Sequence, residues 1–208
     1  MLNFKNFPSP LNDYFQEKFT KDLLILHFTA GYTSMSARAS LRNPDYVAVP
    51  FIVDVDGTVN LCFPKEYWAY HLGVKGASNP GHALDKRTIA LEIVNIGPVW
   101  LRDGKWYDYV GREWPAENVV AVPDRDAGGA VKFPRVQVDA VCELVNDILT
   151  KVPTIPRQIP KDVFSCQLPA LQAFKGVGTH QMFRQDKYDL GPAFPYADLI
   201  SRCSLKIV

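Results

Sequence analysis

The chain has 208 residues, of which 47% are hydrophobic and 22% charged, with a formal net charge of +1. That length supports one domain with a real core and is short for two. The near-neutral charge excludes a broad electrostatic footprint for nucleic acid or an anionic membrane, so any partner must be recognised by a local site.

No stretch approaches the length of a membrane span. Met1 to Pro10 lacks the basic segment and apolar run of a signal peptide. The expectation is synthesis as a cytoplasmic protein, with later release from the cell left open. Cys62, Cys142, Cys166 and Cys203 are widely spaced and form no CxxC pair, so they read as buried free thiols.

In chain order, Asp22 to Phe28 is a short apolar run, readable as a buried strand that ends at His27. Ser34 to Leu41 predicts a short helix, stopped before Asn43-Pro44. Two β-rich runs, Val49 to Val55 and Thr58 to Phe63, flank Asp56-Gly57 and predict a hairpin with a two-residue turn. Thr88 to Val94 predicts a strand at the centre of the sheet. A second hairpin is expected from Val99 to Val110, turning at Asp103-Gly104. Pro115 to Phe133 is polar and glycine-rich and reads as a long surface loop. Pro134 then opens a helix whose apolar face is Val138, Val141, Leu144, Val145, Ile148 and Leu149, ended by Pro153, Pro156 and Pro160. Phe174 to His180 reads as a last strand and Tyr196 to Ser204 as a last helix. The fold class is α/β, a single domain over 1–208 (core about 22–204) with a mixed central sheet flanked by helices.

The residues that bear chemistry lie far apart. His27, His180 and Asp189 offer two imidazoles and a carboxylate, a set that suits zinc held by three protein ligands with a fourth position open. Glu92 is a carboxylate inside an apolar strand, where it needs a reason to be.

Five stretches resemble, in order, the type-2 N-acetylmuramoyl-L-alanine amidase family, which includes phage lysozyme-type amidases and the peptidoglycan recognition proteins. They are His27-Phe28-Thr29-Ala30-Gly31, Asp56-Gly57-Thr58, Trp68 to Gly73, Ile89 to Ile93, and Asp189-Leu190-Gly191-Pro192-Ala193-Phe194-Pro195. The resemblance runs from about Leu23 to Tyr196. It implies zinc ligation by His27, His180 and Asp189, proton transfer by Glu92, and an oxyanion-stabilising role for Lys187. It also implies that His71 lies near the substrate groove, where a substrate-contacting role, support of a ligand and a purely structural role all remain open. The implied substrate is peptidoglycan or a muropeptide, cut between N-acetylmuramic acid (or its anhydro form) and L-alanine. The family's recognition branch supplies the alternative, a peptidoglycan-binding module without turnover.

The chain departs from the family's pattern in three places. Val49 stands where some relatives carry a Tyr, Asp186 replaces the usual Arg before Lys187, and the segment from His180 to Asp189 is one residue short. Trp100, Trp106 and Trp114 with Tyr107 and Tyr109 concentrate in the second hairpin region. They read either as a platform for sugar faces or as a satellite core.

Overall fold

The computed structural model describes residues 1–41, 46–122, 126–168 and 170–208. In chain order the strands and helices are β1 (Phe4–Asn6), β2 (Leu23–Phe28), α1 (Ser34–Leu41), β3 (Phe51–Val53), β4 (Val59–Leu61), α2 (Ala83–Lys86), β5 (Thr88–Ile93), β6 (Pro98–Arg102), β7 (Lys105–Tyr107), β8 (Glu113–Trp114), β9 (Val119–Val122), β10 (Gly128–Val131), α3 (Arg135–Lys151), β11 (Gln158–Ile159), β12 (Gly176–Thr179), α4 (Tyr196–Arg202) and β13 (Lys206–Ile207).

A six-stranded mixed sheet of order β1-β4-β3-β5-β2-β12 forms the centre. β2 pairs in parallel with β5 and β12, and β5 in parallel with β3. The inner strands are covered on both faces, which is why β2 and β5 read as mostly apolar runs rather than alternating ones. α3 supplies one cover. Val138, Val141, Leu144, Val145, Ile148 and Leu149 are all buried, as the helical spacing predicts. Gln137 on the same helix is fully buried and donates to the carbonyls of Val53 (3.2 Å) and Val94 (2.8 Å), tying α3 to the ends of β3 and β5.

The β3–β4 connection differs from the expected two-residue turn. Asp54 and Thr58 pair through a 2.9 Å backbone bond, and the Gly57 N–H donates to the Asp54 carbonyl. Val55, Asp56 and Gly57 therefore form a three-residue loop, with Gly57 at φ +82°. Any side chain there would also strike the Val136 carbonyl of α3 at 2.9 Å. The turn at Asp103-Gly104 is the expected two-residue one, with both φ angles positive.

The stretch from Pro115 to Phe133 corrects the expectation of a loop. Its described residues contain β9 and β10, which join β6, β7 and β8 in a five-stranded antiparallel sheet of order β8-β7-β6-β10-β9. Residues 123–125 of that stretch lie outside the described part. Beneath this sheet Ile96, Val99, Val119 and Val131 form a small core, with Tyr32, Trp106 and Trp114 packed against it. A further correction concerns Cys166, which is exposed, whereas Cys62, Cys142 and Cys203 are buried free thiols.

Candidate metal centre and its cleft

β2 and β5 run side by side with His27 opposite Glu92. Residues in register on parallel neighbours point to the same face, so the two side chains emerge together at the carboxyl ends of the strands. β12 lies on the other side of β2, with Thr179 opposite Leu26, so His180 arrives beside His27 as soon as the strand ends. Asp189 returns to the same place on the loop that follows. Leu190 and Phe194, each 2% exposed, anchor that loop in the core, and the Asp189 carbonyl accepts from the Gln181 N–H at 3.1 Å. The short spacing from His180 thus still brings the carboxylate home.

His27 Nδ1 lies 3.0 Å from His180 Nδ1 and 3.2 Å from Asp189 Oδ2, and His180 Nδ1 lies 3.0 Å from the same oxygen. All three residues are buried. The far side of the His180 ring settles which of its nitrogens carries the proton. His180 Nε2 sits 2.8 Å from the Leu72 carbonyl, which can only accept, so the proton is on Nε2 and the lone pair on Nδ1. His27 Nε2 lies 3.1 Å from His71 Nδ1, and ligation through His27 Nδ1 would require Nε2 to carry the proton and donate to His71. With both rings in that tautomer, two ring lone pairs and a carboxylate oxygen would face one point. Such a cluster could hold a cation. Ligands held tetrahedrally at 2.0–2.1 Å from zinc stand roughly 3.3 Å apart, close to the triangle found here.

The electrostatics agree. Burial, reinforced by the neighbouring His180, lowers His27 to about 4, so its ring is neutral at pH 7. Burial pushes Asp189 up, but the hydrogen bonds of His180 and His27 outweigh it and hold the carboxyl well below the usual range. Glu92 goes the other way: burial, then the charge of Asp189, raises it to about 8, against a smaller opposing pull from Lys187. It is 7% exposed, and among the described residues its Oε2 has no hydrogen-bond partner.

His71 adjoins His27 and lines the same cleft. Its ring is buried, with Nδ1 3.1 Å from His27 Nε2, and among the described residues its Nε2 has no hydrogen-bond partner, lying 3.9 Å from Asp85 Oδ1. Asp85, unremarked in the sequence, is 2% exposed and accepts from the N–H groups of His71 and Leu72 at 3.1 Å each and from Asn79 at 2.7 Å. One buried carboxylate therefore fixes the backbone that presents both His71 and the Leu72 carbonyl to the two histidines.

These groups lie in a cleft of about 530 Å³, within the ordinary range for a ligand site. Glu92, Lys187, Tyr70, Tyr109, Arg184 and Tyr188 also line it. Lys187 is half-buried. Asp186 is engaged by Arg184, at 2.9 and 2.5 Å, and Arg184 lies against Gly73, where any side chain would collide with its guanidinium. Val49 is buried in a separate apolar cluster and does not line the cleft.

Several solved structures share this architecture. AmiD from E. coli, crystallised with anhydro-N-acetylmuramic acid-L-Ala-D-gamma-Glu-L-Lys, superposes with a TM-score of 0.58 at 20% identity, over 90% of this chain and 59% of that one. AmpDh3 from Pseudomonas aeruginosa gives 0.57 at 18%, over 90% and 61%. The chain thus spans about three fifths of the length of those two proteins. The catalytic domain of XlyA gives 0.56 at 13%, over 97% and 99%. At such identities the likeness establishes the fold. No curated protein matches the chain by sequence. The family model for N-acetylmuramoyl-L-alanine amidase, however, matches residues 18–192, a span that contains all six site residues, and the chain belongs to that family.

Proposed function

We propose that the protein is a zinc-dependent amidase that hydrolyses the bond between N-acetylmuramic acid, or its anhydro form, and the L-alanine of the stem peptide. The observation that carries this reading is the convergence of three buried acceptor atoms beside an unpaired buried carboxyl in one open cleft. The ligand seen in the AmiD structure has this chemistry.

His27, His180 and Asp189 would hold the metal, which when bound supplies Lewis acidity towards water and a carbonyl. Glu92 accepts a proton from the attacking water as its oxygen bonds to the lactyl carbonyl carbon. It returns that proton to the nitrogen as the carbon–nitrogen bond breaks, leaving a free carboxyl on the sugar acid and a free amine on L-alanine. A carboxyl at about 8 is within reach of both tasks near neutral pH. Lys187 places an ammonium on the cleft wall, close enough for its charge to act on both Glu92 and His27, and stabilises the oxyanion of the tetrahedral intermediate. His71, through His27, and the Leu72 carbonyl, through His180, keep both Nδ1 lone pairs aimed inwards. A binding module without turnover has no use for an unpaired buried carboxyl at Glu92, which favours the enzyme.

Among the described residues no helix is long and apolar enough to cross a membrane. The substrate would reach the cleft as a wall surface or as a soluble fragment. Incubation with intact sacculi and with soluble anhydro-muropeptides, analysed by mass spectrometry, is expected to show free stem peptides from at least one of them. Release from neither refutes the proposal.

Lys187→Ala is expected to lower kcat and kcat/KM together by about tenfold or more, because the charge it meets exists only in the transition state. Zinc content and thermal stability should hold, since the side chain is only half-buried and is not a ligand. Kinetics within about threefold of wild type, under 1 kcal/mol, would reduce Lys187 to a solvated loop residue.

A further inference from the structure

Tyr109 is the one described residue of the β7–β8 connection that lines the metal cleft. It is 59% exposed, yet its position is tightly determined. Its hydroxyl donates to the Ala30 carbonyl at 2.8 Å, just past the end of β2. The preceding residue, Asp108, is 1% exposed and pins the loop. It accepts from the N–H groups of Val110 (3.1 Å) and Arg112 (3.0 Å), from Trp114 Nε1 (2.8 Å) and from the Tyr32 hydroxyl. Arg112 then lies over the rings of Tyr32 and Trp114, at 5.1 and 5.3 Å. Trp106 and Trp114 are spent on the small core beneath this sheet, so they are the foundation and Tyr109 is what that foundation presents.

A large aromatic side chain held still at the surface can contact a ligand at little entropic cost. The lining next to it decides the ligand's chemistry. Ala30, Ile96 and Pro98 carry no charge, and Tyr188 adds a second exposed aromatic side chain. The charged groups Arg184, Asp186 and Lys187 are contributed by the β12–α4 connection, not by the segments that carry Tyr109, Ala30, Ile96 and Pro98. A stem peptide bears carboxylates and suits the charged stretch. A glycan of acetamido sugars is uncharged, with apolar C–H faces and hydroxyls at its rim, and suits an aromatic face whose own hydroxyl is already engaged.

We infer that Tyr109 is the stacking platform of a glycan subsite, which holds a sugar ring of the substrate's glycan arm at the uncharged wall of the cleft. This inference rests on the amidase reading for its substrate. Its test does not need turnover. The full chain is titrated with the tetrasaccharide of N-acetylglucosamine and, separately, with free stem tetrapeptide. Tyr109→Ala should weaken tetrasaccharide binding about tenfold, the scale of one well-packed aromatic contact, and should shift tetrapeptide binding by less than about twofold. Tyr109→Phe, which keeps the ring, should stay within about threefold of wild type for both. With a muropeptide substrate, Tyr109→Ala should raise KM by a similar factor while kcat changes little, because the contact is equal in ground and transition states.

Failure of the wild type to bind the tetrasaccharide, or equal binding by wild type and Tyr109→Ala, overturns the subsite. A selective loss of tetrapeptide binding assigns the wall to the peptide arm instead and also overturns it. If Phe loses as much as Ala, the residue is a strut for the Ala30 carbonyl and not a platform. Absence of stem-peptide release by wild type, with the tetrasaccharide results as expected, would sink the amidase reading and leave the sugar subsite standing.

Discussion

Glu92→Gln is expected to lower the rate of stem-peptide release by roughly two to four orders of magnitude, the span of a lost general acid/base. The amide keeps the size and hydrogen-bonding capacity of the acid but cannot shuttle a proton, so zinc content and ligand affinity should stay near wild type. The readout is mass spectrometry of released stem peptides alongside metal analysis of the same protein. A variant as fast as wild type removes Glu92 from the mechanism.

The same substitution has a second signature, in stability. Glu92 is raised from the ordinary 4.5 to about 8 in the folded protein. A raised value means that its contribution is fully present below about 4.5 and is lost as pH rises through about 8. Gln has no such dependence. In chelator-treated protein, Glu92→Gln should therefore gain on wild type between pH 5 and pH 8, measured as the difference of the two melting temperatures at each pH. A difference that stays flat across that window would mean the carboxyl is solvated, and its apolar strand setting would no longer explain its chemistry.

The sheet was legible in the sequence because its inner strands are written in local pattern. β2 and β5 are covered on both faces, so each is a run of apolar residues broken only by the side chain that faces the cleft, His27 or Glu92. α3 is amphipathic at the helical period, and every residue of the expected face is buried. Partnership across distance was harder to read. Gly128-Gly129 looked like loop punctuation, but a side chain at Gly129 would lie 2.6 Å from Trp106, so the glycine serves close packing within β10. β1, β11 and β13 are two or three residues long and lie at sheet edges or in a separate pair, where there is too little alternation to detect.

Around the metal cluster the same division holds. The resemblance pointed to His27, His180, Asp189, Glu92 and Lys187, and the fold brings all five into one cleft. The sequence left the role of His71 open, and the fold sets its ring against His27 on the wall of the same cleft. Asp85 had no signal beyond a carboxylate after the Asn79-Pro80-Gly81-His82 loop, since what it binds are backbone N–H groups. Tyr109 was one of several aromatics in a hairpin. Only the long-range bond to Ala30 separates it from the tryptophans below.

Removing the metal should abolish turnover, and restoring zinc should return it, at about one zinc per chain. The three groups come together only in the folded protein, so a cation that binds them must stabilise it. At a thousandfold excess of zinc over its dissociation constant the gain is about 4 kcal/mol, roughly 10 °C in melting temperature for a chain of this size. Variants should grade this effect. His27→Ala and Asp189→Ala each leave two ligands, too few to hold zinc tightly, and should lose both the metal and the thermal shift. His71→Ala keeps all three ligands but frees the His27 ring to turn or change tautomer, so affinity should fall about 10–100-fold while binding persists. Calorimetric zinc titration of the four proteins separates these cases. Full activity in metal-free protein, or wild-type affinity in His27→Ala, would mean that the cluster is not a metal centre. A His71→Ala affinity equal to wild type would leave His27 oriented by the sheet alone, with His71 merely filling space beside it.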